Sequence, residues 1–114
     1  MSTETGRKAE AAAAGFLQKH GHQLLAQNWR TRWCEIDLIT RHGLTVYFVE
    51  VKYRQNARHG LGLDYITPRK LQQMHFAAEL WLGTFAKPDN DYALAAIEVS
   101  GDELTVTAWI DDIA

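Results

Sequence analysis

Hydrophobic residues gather into two runs, at 33–40 and 45–52, parted by the polar triplet Arg41-His42-Gly43. Residues i and i+2 of a strand share a face, so the spacing predicts two strands joined by a hairpin turn at that triplet. In the second run Val46, Phe48, Glu50 and Lys52 fall on one face and Tyr47, Val49 and Val51 on the other. Both faces are mostly apolar, which predicts a central strand covered on both sides. Upstream, the alanine-rich stretch 7–20, with Phe16 and Leu17, reads as a helix stopped by Gly21, a favourable C-cap. Residues 23–29 read as a first strand with Leu24 and Leu25 as core candidates. Downstream, Thr67-Pro68 is a strong helix start, with Thr as N-cap and Pro at the first helical position. Leu71, Met74 or His75, Ala78 and Leu82 then recur at helical spacing to about Phe85, a stripe that would cover the sheet. A turn at 87–90 leads to strands at 92–99 and 103–110, joined at Ser100-Gly101-Asp102.

The order helix, three strands, helix, two strands predicts an α/β fold with a mixed central sheet of about five strands flanked by helices. The chain of 114 residues allows one domain, 1–114, with 1–6 expected as a loose terminus. Its 46% hydrophobic content is that of a globular chain, not a disordered one. No apolar run approaches the roughly 20 residues that span a membrane. The opening lacks the basic and apolar segments of a signal peptide. Cys34, the one cysteine, permits no internal disulfide and reads as a small packed filler, so a cytoplasmic setting is expected.

Net charge changes the picture of partners. The formal value of -2 argues against an overtly basic nucleic-acid binder. All twelve Lys and Arg residues, however, lie at or before Lys87 with seven acids, a formal +5, and the other seven acids follow. A basic face is therefore compatible with an acidic tail.

The candidate chemistry sits on the two central runs. Glu35 and Asp37 share a strand face, as do Glu50 and Lys52. A two- or four-residue hairpin loop sets Asp37 opposite Glu50 or Phe48 and brings all four charges onto one face. A three-residue loop does not. Several carboxylates converging beside a core are costly unless something binds them, and a divalent metal is the obvious candidate. Glu10 has two readings, as a catalytic acid or as a carboxylate favoured near a helix N-terminus. His20 and His22 invite a metal reading, but nothing nearby in sequence completes a ligand set. Arg30, Arg32 and Trp33 suit a phosphate backbone and a stacked base, or equally a solvated strand end. Arg54 and Arg58 fall on a polar stretch suited to holding a phosphate. Arg69 and Lys70 sit in a first helical turn against the usual dipole preference, which is readily explained if they face an anion or the carboxylates. His75 reads as a packed histidine.

An acidic residue on the first helix, an Asp on the second strand and Glu-x-Lys on the third resemble the PD-(D/E)xK, restriction-endonuclease-like fold. Within it the chain resembles the YraN-like family of uncharacterised bacterial proteins, similar in layout to Holliday-junction resolvases. The resemblance rests chiefly on Glu35-Ile-Asp-Leu-Ile39, Phe48-Val-Glu-Val-Lys52 and Thr67-Pro-Arg-Lys70, supported by Gly6-Arg-Lys-Ala-Glu10 and 21–30. It implies Asp37 and Glu50 as ligands of Mg²⁺ or Mn²⁺, Lys52 as the residue that orients or activates water, and Glu10 and Glu35 as supporting acids. It also implies DNA, branched or duplex, as partner, and a homodimer as a way to span it. The chain departs from the family pattern at Ala9 and Trp33-Cys34, where glycines are usual, and at Tyr92-Ala93-Leu94, where an aspartate is usual. Asp91 is a displaced substitute for that aspartate or a surface residue. Three functions follow as expectations: a Mg²⁺-dependent nuclease, a non-catalytic nucleic-acid-binding module, or a structural protein whose charges form a satisfied network.

Overall fold

The computed structural model describes residues 4–56, 66–85 and 91–113. Arg58, the remainder of 57–65, and the turn expected at 87–90 lie outside the described residues. Helix α1 (Glu4–Lys19) starts three residues before the alanine-rich run, so 4–6 are helical and not a loose tail. Glu4 favours that start as a carboxylate in the first turn, and it pairs with Lys8 one turn on. Gly21 closes the helix with φ +94°: the His22 N–H reaches the Leu17 carbonyl and the Gly21 N–H the Gln18 carbonyl. That is the Schellman arrangement, which needs the left-handed conformation glycine adopts freely.

Strands β1 (Gln23–Arg30), β2 (Glu35–His42) and β3 (Thr45–Arg54) form an antiparallel meander. Strand β2 begins two residues later than the hydrophobic pattern suggests, because Thr31, Trp33 and Cys34 form a turn. The β2–β3 turn is Gly43-Leu44, with Gly43 at φ +64°. Glycine at the first central position is the type II′ pattern that suits hairpin twist. It moves the turn past Arg41 and His42, which stay in the strand.

Helix α2 (Pro68–Phe85) starts where Thr67 caps it, the Lys70 N–H donating to Thr67 Oγ1 at 3.1 Å. It crosses to strand β4 (Asp91–Ser100), which pairs parallel with β3 in strict register. Strand β5 (Thr105–Ile110) returns antiparallel at the edge. Its start falls after Leu104 because Gly101 and Leu104 both take positive φ and complete the turn. The sheet order is β1-β2-β3-β4-β5.

Two core clusters cover the two faces. On one, Ala9, Ala13, Ala14 and Leu17 of α1 pack on Leu38, Val49, Ala95, Ile97 and Val99. The small alanines let the helix lie close to the sheet. On the other, Met74, Ala77, Ala78, Trp81 and Leu82 of α2 pack on Ile39, Val46, Phe48 and Leu94. Met74, not His75, takes the buried position. His75 stays exposed against the Tyr92 hydroxyl. Removing the fully buried Phe48 or Met74 would cost about 2–5 kcal/mol. Strand β3 thus lies centrally with both faces covered, as its pattern predicts.

Candidate functional site

The site arises where two strands part. The β2–β3 ladder runs from His42↔Thr45 to Leu38↔Val49. Asp37 and Glu50 are the next residues beyond that last pair. There the Val51 N–H is taken by Asp37 Oδ2 at 2.8 Å. Strand β2 meanwhile stays paired with β1 as far as Glu35. A cavity of about 240 Å³ opens at the split, lined by Gly6, Ala9 and Glu10 of α1, Glu35 and Asp37 of β2, and Glu50, Val51 and Tyr53 of β3. Four carboxylates separated by up to forty residues of sequence meet there.

Three of the four have a distinct protein partner. Asn28 Nδ2 donates to Glu10 Oε1 at 2.8 Å, Arg30 lies 3.6 Å from Glu35, and Lys70 Nζ lies 3.2 Å from Glu50 Oε1. The Arg30–Glu35 pair is solvent-exposed and contributes little. Glu10 sits beyond the first turn of α1, outside the reach of the helix dipole, and its place is explained by Asn28 instead. Among the described residues, the partner of Asp37 is the Val51 N–H. Burial raises its pKa to about 7, and the neighbouring Glu50, Glu10 and Glu35 push the same way against that hydrogen bond.

The other expected residues divide. Lys70 meets the carboxylates, as its unusual first-turn position suggested, and with Thr67, Arg69 and Gln73 it lines an adjoining open cleft of about 410 Å³. Lys52 is half-buried beyond Glu50 on β3, in register with Glu98 of β4, and is not among the residues lining the carboxylate cavity. Arg54 is turned inward: its Nε lies 2.6 Å from Oε2 of the fully buried Glu98, a charge-to-charge contact and not an aligned hydrogen bond. Arg30 and Arg32 are exposed beside Trp33. Asp91 pairs in register with Thr45, the first residue of β3 and five positions from Glu50, and is not among the residues lining the cavity.

Sequence reasoning passed over two residues. Asn28, at φ +50°, lies in β1 between the pairs Gln27↔Leu38 and Trp29↔Ile36, level with Asp37. Asn tolerates the left-handed region better than most residues, but nothing in its neighbours marks the position. Glu98 was visible as a lone charge inside the apolar run 93–99. Thr107 donates to its Oε1 at 2.9 Å.

The paired histidines fall in a separate cavity of about 220 Å³ at the other end of α1, where His42 and Asp111 join His20 and His22 beside Tyr47 and Trp109. His22 stacks on His42 with ring centroids 4.8 Å apart, meets Trp109 edge-on, and shares a 2.8 Å hydrogen bond with Thr40. Its pKa is lowered by burial and then by His42 and His20. Among the described residues no three His, Cys, Asp or Glu side chains converge in a geometry that would hold a metal by themselves.

The donor chemistry of the carboxylate cavity is compatible with a hard divalent cation: Asp37 and Glu50 offer carboxylate oxygens, and Glu10 and Glu35 add acidic groups to the lining. Mg²⁺ in particular is often held by only one or two carboxylates, with water and substrate phosphate completing its shell.

The model of the family described as Uncharacterised protein family UPF0102 matches residues 9–103. A UPF0102 protein of Pseudomonas fluorescens (strain Pf0-1) is 40% identical over 112 residues, covering 96% of this chain and 91% of the relative. One from Neisseria gonorrhoeae (strain ATCC 700825 / FA 1090) is 36% identical over 113 residues, covering 99% and 96%. One from Leifsonia xyli subsp. xyli is 42% identical over 82 residues, covering 72% and 70%.

Proposed function

The chain belongs to the uncharacterised protein family UPF0102, and from that premise we propose that it is a metal-dependent nuclease that hydrolyses DNA phosphodiester bonds. The observation that carries the proposal is the convergence of Asp37 and Glu50 at the strand split, with Glu10 and Glu35 around them. Asp37 and Glu50 would hold Mg²⁺ or Mn²⁺. When bound, such an ion neutralises charge on the phosphate and makes water a better nucleophile. The chain supplies the rest. The Val51 N–H orients Asp37, and Asn28 orients Glu10. Lys70, on Glu50, offers a cation from the cleft side where a phosphate would approach. Lys52 lies two residues beyond Glu50 and is suited to orient water or offset developing negative charge.

Titration by calorimetry tests the cavity. Wild type is expected to bind Mg²⁺ or Mn²⁺ saturably and the Asp37→Ala/Glu50→Ala double variant not to. Branched, damaged, single-stranded and duplex DNA are then compared for cutting, with cleavage expected to fall at least about 100-fold in either single variant. Equal cutting by both variants and wild type would sink the assignment. A second reading, a nucleic-acid-binding module without turnover, is favoured by the position of Lys52 away from the cavity lining. Salt-sensitive DNA binding with no metal-dependent cutting would select it.

A further inference from the structure

The turn between β1 and β2 carries the most exposed of the four tryptophans, two residues before Glu35 of the carboxylate cavity. Trp81 is buried, and Trp29 and Trp109 pack against the two cores. Trp33 is 63% exposed. The turn that presents it is built to hold its shape. Thr31 Oγ1 accepts from the Trp33 N–H at 3.0 Å and the Cys34 N–H at 3.2 Å, while the Thr31 N–H donates to the Cys34 carbonyl at 2.8 Å. Cys34 is buried in the α2-side core and anchors the turn from below. Above it, the Arg32 guanidinium carbon stands 5.2 Å from the Trp33 ring centroid. Arg30 reaches back to Glu35, which also lines the carboxylate cavity. An exposed aromatic ring and two exposed arginines therefore lie within a few residues of Glu35 and Asp37, which line the acidic cavity. Trp33 and Asp37 are four positions apart, at most about 14 Å of chain, a span of a few nucleotides.

We propose that Trp33, backed by Arg32, stacks an unpaired nucleobase next to the phosphate presented to the Asp37–Glu50 cavity. The substrate class is then a nucleic acid with at least one unpaired nucleotide near the bond addressed, such as a single strand or the arm of a branch. This rests on the nucleic-acid reading of the site. Two points select an unpaired base over an intact duplex. A base inside a duplex has both faces covered by its neighbours, so a lone ring has nothing to stack on. The chain also has a net charge of -2, a weak source of the phosphate attraction on which non-specific duplex binders depend. Stacking on an aromatic side chain supplies affinity without regard to sequence. The rigid turn lowers the entropy lost on binding.

The test is anisotropy of a fluorescent oligothymidylate and of a blunt duplex, in chelator and at constant low salt, so that neither metal nor cutting enters the readout. Wild type should bind the single strand, Trp33→Ala should weaken it about tenfold, and Trp33→Phe should recover most of the loss. Duplex binding should be the same in all three. Trp33 is exposed, so thermal melts should confirm unchanged folding. The proposal is overturned if the single strand does not bind, if Trp33→Ala binds it as well as wild type, or if duplex binding weakens equally. Metal titration of wild type judges the carboxylate cavity independently of each of these results.

Discussion

The carboxylate cavity and the histidine cavity, at opposite ends of α1, are of similar size and obey the same electrostatics with opposite results. Burial disfavours the charged form in both. In the first, Asp37 is driven up to about 7 by burial and by Glu50, Glu10 and Glu35. In the second, His22 is driven down by burial, His42 and His20. The difference lies in what the fold provides as compensation. A neutral imidazole is at home against His42, Tyr47 and Trp109 with Thr40 as its hydrogen-bond partner. Among the described residues, an Asp37 carboxylate meets the Val51 N–H and three acidic neighbours. The histidine end is thus satisfied by packing, while the carboxylate end crowds acidic groups whose burial and mutual repulsion oppose charging.

The comparison breaks most visibly at Asp37. Its folded pKa is above the ordinary carboxylate value of 3.8, so below that value both folded and unfolded states are protonated and no penalty exists. As pH rises toward 7 the unfolded chain releases its proton while the fold keeps it, and stability falls. Above about 7 the penalty is complete. Asp37→Asn removes it and keeps an oxygen for the Val51 N–H. In chelator at pH 8 the variant should therefore be more stable than wild type by about 2–4 kcal/mol, a difference that vanishes toward pH 4. Denaturant titrations across that range check it. An unchanged difference at all pH values would mean that Asp37 is not strained by its surroundings.

A smaller effect is expected at Asn28, which touches Glu10 rather than the proposed ligands. Asn28→Ala should weaken Mg²⁺ binding about tenfold by calorimetry, the lower end of what supporting residues contribute. Loss of Glu10 orientation with undiminished metal affinity would confine Glu10 to a structural role.

The smallest effect is at the other end. His22 has a lowered folded pKa, so it contributes stability above its unfolded value of 6.5 that is lost as pH falls through the folded value. Wild type should lose stability there on acidification, and His22→Gln should lose less. Equilibrium unfolding at pH 7 and pH 5 measures the difference. In the same window Asp37 changes stability in the opposite direction, so the Asp37→Asn background isolates the histidine contribution.

How much of the site is legible in the chain differs from residue to residue. Asp37, Glu50 and Lys70 stand out because a charge inside a strand pattern, or a cation in a helix's first turn, violates a local preference. Asn28 violates nothing its neighbours reveal, and its pairing with Glu10 joins residues eighteen apart. Lys52 shows the reverse. Its Glu-x-Lys spacing is conspicuous, yet it does not line the cavity, whereas Lys70 reaches Glu50 from another element. Arg54 looks like a surface cation on a polar stretch, but its register with Ser100 brings it beside Glu98, and the two charges pair.

By itself the sequence determined the elements and their order, because hydrophobic period, helix caps and turn glycines are local and act within a few residues. It also determined that β3 is central, since only a strand covered twice carries apolar residues on both faces. The tertiary structure alone decided where the β2–β3 ladder gives way, which cation meets Glu50, and that His20, His22 and His42 share a cavity. Those outcomes depend on register and on the approach of segments distant in sequence, where a shift of one residue along a strand would turn every side chain to the other face.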